Sequence, residues 1–484
     1  MMRRRIVASA ALALLGVVMR PGMAATERLQ FGRLGLVHVY RHTAHPAHVA
    51  LQLSGRLGWT AADRALARSL AAADTLVLGV DTRFYLARVA HASCAYPAGD
   101  LEALSQYAQK HLRLPVYTRP VLVGRGLGAT LAYGTLAQAP AGTFRGALGL
   151  GFCPQRTLRR PLCRGDGWPM RGSARHGYLV QPGRLTAPWS VLNSSAMHAC
   201  PADSVRTFVA HTAVGRFTLI RTRPGEPAED DAALALVRQA FLRLAAPAAA
   251  IGPPRAVTGL PLVEVPATTV ANDTLVVMVS GDGGWAGLDR EVARALAARG
   301  YSVVGLNSLR YFWTRRTPQE AGRDLARIMT YYLRRWNKQR ALLIGYSRGA
   351  DVLPFMARHL PPALRQRVDL IALLGLGRHV DFEFHLSDWL PDAGNPPSAL
   401  PIFPQITALH GGRHVLCLYG KDEKHSLCRR FTPRLGRTLE LRGGHHFDGA
   451  YGHLADIILE QLKRERAATG PAGAGRFGKE PGHP

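Results

Sequence analysis

The chain has 484 residues, 47% of them apolar, and its 61 Lys and Arg against 33 Asp and Glu give a formal net charge of +28. This length allows two to three domains with real cores, and the apolar content excludes an intrinsically disordered chain. The positive balance points to an anionic partner; because the basic residues are scattered among few aromatics, a bilayer rich in acidic phospholipid is expected rather than nucleic acid.

The first 25 residues read as a secretory signal. Arg3, Arg4 and Arg5 form a positive start, residues 6–18 a short apolar stretch, and Gly22, Ala24 and Ala25 suit cleavage after Ala24. The apolar run is short for a membrane span, so export and a periplasmic location are expected. Six cysteines fit an oxidising compartment. Cys417 and Cys428 flank a short loop and are expected to pair, which would stabilise the fold by about 2–3 kcal/mol in the chain-entropy model. Cys153 and Cys163 are expected to pair likewise, leaving Cys94 and Cys200. No CxxC spacing suggests a metal, and no cofactor is expected.

An internal repeat organises the rest. Residues 54–85 align without gaps on residues 280–311, with 14 identities in 32 positions that include Trp59/Trp285, Asp63/Asp289 and Tyr85/Tyr311. Further on, Gly124-Arg125-Gly126-Leu127-Gly128 falls opposite Gly345-Tyr346-Ser347-Arg348-Gly349. The chain therefore divides into a degenerate copy (26–245), an Ala/Pro/Gly-rich linker (246–268), a second copy (269–466) and a Gly/Pro-rich tail (467–484) expected to be disordered.

Each copy alternates strand and helix. In the second, strands are expected at 275–279, 302–306, 341–344, 368–374, 415–419 and 438–441, with helices at 289–299 and 317–336. This βαβ alternation predicts an α/β fold, a mostly parallel sheet with helices on both faces, present twice.

Ser347 sits at the junction of a predicted strand and a predicted helix, within Gly-x-Ser-x-Gly. That context is what a nucleophile elbow of the α/β-hydrolase type requires. The base and its orienting acid should follow in the order acid, then histidine. Asp422 lies just past the 415–419 strand, with Glu423 beside it as a competitor. His445 and His446 follow a glycine pair after the last strand, and His445 is the better placed. The Gly281-Asp282-Gly283 loop and the Arg348 amide are the expected oxyanion donors. The first copy has Gly126 where the serine should be, Arg56 and Leu57 in place of Asp282 and Gly283, and no paired histidines. It reads as a pseudo-enzyme kept for packing, substrate or partner binding.

The residues 280–285, Arg310-Tyr311-Phe312-Trp313 with Arg316-Thr317-Pro318, the elbow through Asp351, and Gly444-His445-His446-Phe447-Asp448 together resemble the bacterial VirJ/AcvB family, in its longer, two-copy form. The resemblance implies a periplasmic hydrolase of lysyl-phosphatidylglycerol with links to type IV secretion and virulence, and it carries nucleophile, acid and base onto Ser347, Asp422 and His445. Expected partners are then the anionic membrane surface, an aminoacylated lipid and components of a secretion system. A lysine-bearing substrate is a cation, so Asp282, Trp285, Asp351 and Glu383 are candidates to bind it. The alternatives are a general carboxylesterase or lipase, and a non-catalytic periplasmic factor for secretion substrates.

Overall fold

The computed structural model describes residues 25–163, 170–183, 185, 187–195, 200–220, 231–246, 255–385, 398–409 and 415–469. The expected signal sequence up to Ala24 and the tail beyond residue 469 lie outside them, while residues 467–469, expected in the disordered tail, end the last helix. Among the described residues, no helix is long and apolar enough to cross a membrane.

Two separate sheets carry the two copies. In the second copy the strand order is Leu262–Val265, Ser302–Leu306, Thr274–Val279, Arg340–Tyr346, Val368–Leu374, Val415–Gly420, Arg437–Leu441. All neighbours are parallel except Leu262–Val265, which runs antiparallel along Ser302–Leu306. The sequence places this edge strand in the linker; its backbone instead completes the second sheet, so that domain begins upstream of residue 269.

The central strand Thr274–Val279 is buried throughout, because helices cover both faces. Leu275, Val277 and Val279 join one core with the helices Pro318–Arg335 and Arg348–Arg358. Val276 and Met278 point the other way, toward Gly287–Ala297 and Tyr451–Thr469. The long helix opens on a capping box, Thr317 with Glu320, and Pro318 at its first position, which satisfies orphan amides where the sheet connection ends.

The first copy repeats the parallel centre of this sheet and adds an antiparallel pair, Ala25–Phe31 and Gly35–Arg41, at one edge. The duplication extends to individual contacts. The Ser54 hydroxyl accepts from the Thr82 amide and Ser280 from the Ser308 amide, at 3.0 and 2.9 Å. The Tyr85 hydroxyl donates to Asp100 and Tyr311 to Asp324, at 2.8 and 2.7 Å. Trp59 and Trp285 lie so close over Gly79 and Gly305 that a β-carbon on either glycine would sit 2.2 or 2.1 Å from the indole.

Three disulfides form: Cys94–Cys163, Cys153–Cys200 and Cys417–Cys428. The last is the pair expected from its short loop. The expected Cys153–Cys163 pair is not made, because the backbone at Ala95 pairs with the segment ending at Cys163. Ala95 donates to Pro161 and accepts from Cys163, at 2.9 and 2.8 Å, which brings the Cys94 and Cys163 Cα atoms to 4.9 Å.

The two copies meet around Trp313, which is buried. Its indole N–H donates to the Leu114 carbonyl at 2.7 Å, and Lys110 donates to the Trp313 carbonyl at 2.7 Å while pairing with Glu383 at 2.9 Å. A helix end of the first copy thus holds two loops of the second.

Candidate active site

The turn at Ser347 is set by its two flanking glycines. A β-carbon at Gly345 would come within 2.5 Å of the Gly349 carbonyl oxygen, and one at Gly349 within 2.0 Å of the Val279 oxygen. Neither obstacle is a movable side chain, so only glycine lets strand and helix approach this closely. Gly349→Ala is therefore expected to destabilise the fold by about 3 kcal/mol, at the upper end of overpacking costs, as read by urea unfolding. A loss under about 1 kcal/mol would mean that the helix can slide, and the tight elbow would not be a fixed feature.

Ser347 itself has φ +52° and ψ −122°. This is a conformation that costs a non-glycine residue about 1–3 kcal/mol and recurs at functional sites. Its amide donates to Leu374 at 2.8 Å, and its carbonyl accepts from Asp351 at 3.1 Å, so both neighbouring elements hold the turn.

His445 approaches from the loop after the last strand. Its ring lies over Gly375, where a β-carbon would be 2.6 Å from Cε1, and stands 5.3 Å from the ring of Tyr346, the residue before the serine. Its Nδ1 is 2.5 Å from Glu423 Oε1. The second Glu423 oxygen accepts from the Gly420 amide at 2.6 Å. The hydrogen bond to Glu423 raises the His445 pKa above the ordinary histidine value, against the opposing effect of burial. Burial alone would raise the Glu423 carboxyl; the His445 and Gly420 hydrogen bonds outweigh it and hold the group below the usual range.

The carboxylate facing the histidine is therefore Glu423, not Asp422. Asp422 is exposed, and its amide donates to Gly443 at 3.1 Å. The turn after Gly420 sends its side chain outward and returns Glu423 beneath the histidine loop. His446 turns to the other side of Tyr346, its Nδ1 3.0 Å from the Tyr346 hydroxyl, which also reaches the His445 carbonyl at 3.3 Å. Tyr346 thus orients the paired-histidine loop, a role the sequence did not reveal.

The 281–283 loop lies against the elbow: a β-carbon on Gly281 would be 3.5 Å from that of Ser347. The Gly283 amide, an expected oxyanion donor, donates instead to the Asp282 carboxylate at 3.0 Å. Of the other expected donors, Gly281 lies against the serine and Arg348 follows it as the first residue of the helix. The Arg348 guanidinium turns away, donating to the Asp381 carbonyl at 2.9 Å and standing 4.1 Å over the Phe384 ring.

Of the four residues expected to bind a cation, two have other work. Trp285 is a core wedge over Gly305, matched by Trp59 in the other copy. Glu383 is paired with Lys110 across the domain boundary. Asp351 and Asp282 remain. The Asp351 carboxyl accepts from the Gly377 amide at 2.7 Å, and burial pushes its pKa up to about 7 despite that bond and nearby Arg348 and His445. Among the described residues there is no cluster of His, Cys, Asp or Glu that could hold a metal ion.

No curated protein matches this chain. Solved structures that align with it include an α/β serine hydrolase homologue from Coxiella burnetii, at 13% identity over 45% of this chain and 96% of that one, with a TM-score of 0.30. An esterase of Pyrococcus furiosus aligns at 14% identity over 42% of this chain and 90% of that one, with a TM-score of 0.32. The model of the VirJ family, bacterial virulence proteins, matches residues 273–466, from the first parallel strand to the last helix. The second copy, with its seven-stranded, mostly parallel sheet and its serine elbow, is the part of the chain that matches the VirJ family, on the α/β fold expected for it.

Proposed function

We propose that the second domain is a serine esterase that hydrolyses the aminoacyl ester of lysyl-phosphatidylglycerol in the periplasm, with Ser347 as nucleophile, His445 as general base and Glu423 as the acid orienting it. The observation that carries the reading is the His445–Glu423 contact of 2.5 Å beside a serine held at φ +52°. With Nδ1 occupied, Nε2 is the nitrogen left for the serine proton.

The ester carbonyl would be attacked by Ser347 Oγ as its proton passes to His445. Charge then develops on the carbonyl oxygen, toward the Asp282 and Arg348 amides and the start of the helix. Collapse breaks the bond to the glycerol oxygen, which takes the proton from His445 and leaves as phosphatidylglycerol. Water, deprotonated by the same imidazole, attacks the lysyl-serine ester; the bond to Ser347 Oγ breaks as Oγ takes the proton back from His445, and lysine is freed.

The family resemblance, the basic surface and two acidic groups beside the elbow support this substrate. Basic residues near an anionic bilayer contribute roughly 1 kcal/mol each. Asp351 and Asp282 would face the ammonium groups of the lysyl ester, and an approaching cation favours the ionised form of Asp351, which burial disfavours. Three disulfides fit an oxidising compartment.

The test is release of free lysine from vesicles containing lysyl-phosphatidylglycerol, beside turnover of p-nitrophenyl butyrate. The wild-type protein is expected to release lysine and the Ser347→Ala variant none. Turnover of the simple ester with no lysine released would leave a general carboxylesterase.

A further inference from the structure

The first domain has lost the serine but not the architecture around it. Gly126 has φ +52° and ψ −109°, close to the backbone of Ser347, and a β-carbon placed on it would meet nothing within 4 Å. The space in front of it is a cavity of about 480 Å³. That is within the range of small-molecule sites. Leu192, Ile220 and Val237 are among its apolar lining, and Arg56, Arg125 and Arg156 line it as well.

Among the described residues, Arg56 and Arg156 have no carboxylate partner. Arg125 pairs with the buried Asp63 at 3.2 Å. Arg156 has a buried Nε with no hydrogen-bond partner. Its burial, and then the like charge of Arg56, both act against its ionised form. Guanidinium groups drawn together over hydrocarbon are unfavourable unless an anion joins them. The alignment adds a second reason: Arg56 and Arg125 replace Asp282 and Tyr346, so the site has changed from acidic to basic as well as losing its nucleophile.

We propose that this cavity is a binding site for an anionic amphiphile, a carboxylate or phosphate head held by Arg56 and Arg156 with a single alkyl chain against Leu192, Ile220 and Val237. The first domain would then hold an anionic lipid or fatty acid without transforming it, since no nucleophile stands at Gly126. The proposal does not depend on what the second domain hydrolyses.

Titration calorimetry of the full-length protein, with decanoate, decyl phosphate and decanol as probes, tests it. Decanoate or decyl phosphate is expected to bind at least about tenfold more tightly than decanol, and the better of the two identifies the head group. Arg56→Ala, at an exposed position, and the double variant Arg56→Ala/Arg156→Ala should each weaken that binding, the double by about tenfold or more. Ile220→Trp, which fills the cavity, should abolish it, with thermal unfolding verifying that each variant is folded. Equal affinity for decanol and decanoate, or wild-type affinity in both Arg56→Ala and Ile220→Trp, overturns the assignment. Inorganic phosphate or acetate binding as tightly as the ten-carbon probes overturns the amphiphile and leaves a plain anion site.

Discussion

Ser347→Ala is expected to reduce ester hydrolysis by about five to six orders of magnitude, and His445→Ala by a similar factor. The two losses should not add. Without the hydroxyl there is no nucleophile for the imidazole to activate, and without the imidazole the hydroxyl remains a neutral, weak nucleophile. The double variant should therefore retain about the same residual rate as either single one, supplied by the oxyanion donors and substrate binding alone. Folding should not suffer: removing the hydroxyl leaves the Ser347 amide on Leu374 and its carbonyl on Asp351, so the thermal midpoint of Ser347→Ala should match the wild type. His446→Ala is the informative comparison. His446 contacts the Tyr346 hydroxyl and not Glu423, so its loss should perturb the loop but spare most of the rate. If His446→Ala were as damaging as His445→Ala, the base would have been assigned to the wrong member of the pair.

Much of this architecture was legible in the sequence because it depends on local pattern. Parallel strands buried on both faces write themselves as apolar runs, and residues 302–306 and 368–374 read so directly that their observed ends coincide with the expected ones. The elbow was legible because its two glycines are demanded by backbone atoms, at Val279 and at Gly349 itself, which no rearrangement of side chains can relieve. The edge strand Leu262–Val265 was not, because a short half-buried edge strand beside Pro and Gly has the composition of a linker, and only pairing with Ser302–Leu306 makes it a strand. The disulfides divide in the same way. Cys417 and Cys428 are close in sequence, whereas Cys94 and Cys163 meet through a bridge between segments about seventy residues apart, which spacing cannot reveal. Trp285 and Glu383 looked like ligands for a cation because of their chemistry. The fold uses one as a wedge against a glycine and the other as the anchor for Lys110.

The least legible choice was between adjacent acids, since a turn can present either of two neighbouring carboxylates, and this choice has the second large consequence. Glu423→Gln is expected to lower kcat by about four orders of magnitude, because a neutral amide can donate to Nδ1 and favour the wrong imidazole tautomer, and it cannot offset the charge that His445 gains in the transition state. Asp422→Asn should change it by no more than about twofold, as for an exposed surface residue. The pH profile supplies an independent measure. Catalysis requires neutral His445, so activity rises with pH through its pKa. Glu423 holds that pKa above the ordinary value of 6.5, and the wild-type acid limb should lie correspondingly high. Removing the negative charge withdraws the stabilisation of the imidazolium, so the residual activity of Glu423→Gln should show its acid limb at lower pH, while Asp422→Asn leaves the limb in place. A fall in rate with no displacement of the limb would mean that Glu423 supports the loop without touching the charge on His445. A displacement caused by Asp422→Asn would restore Asp422 as the acid, through a rearrangement of the 420–426 turn that carries its carboxylate inward past Gly444.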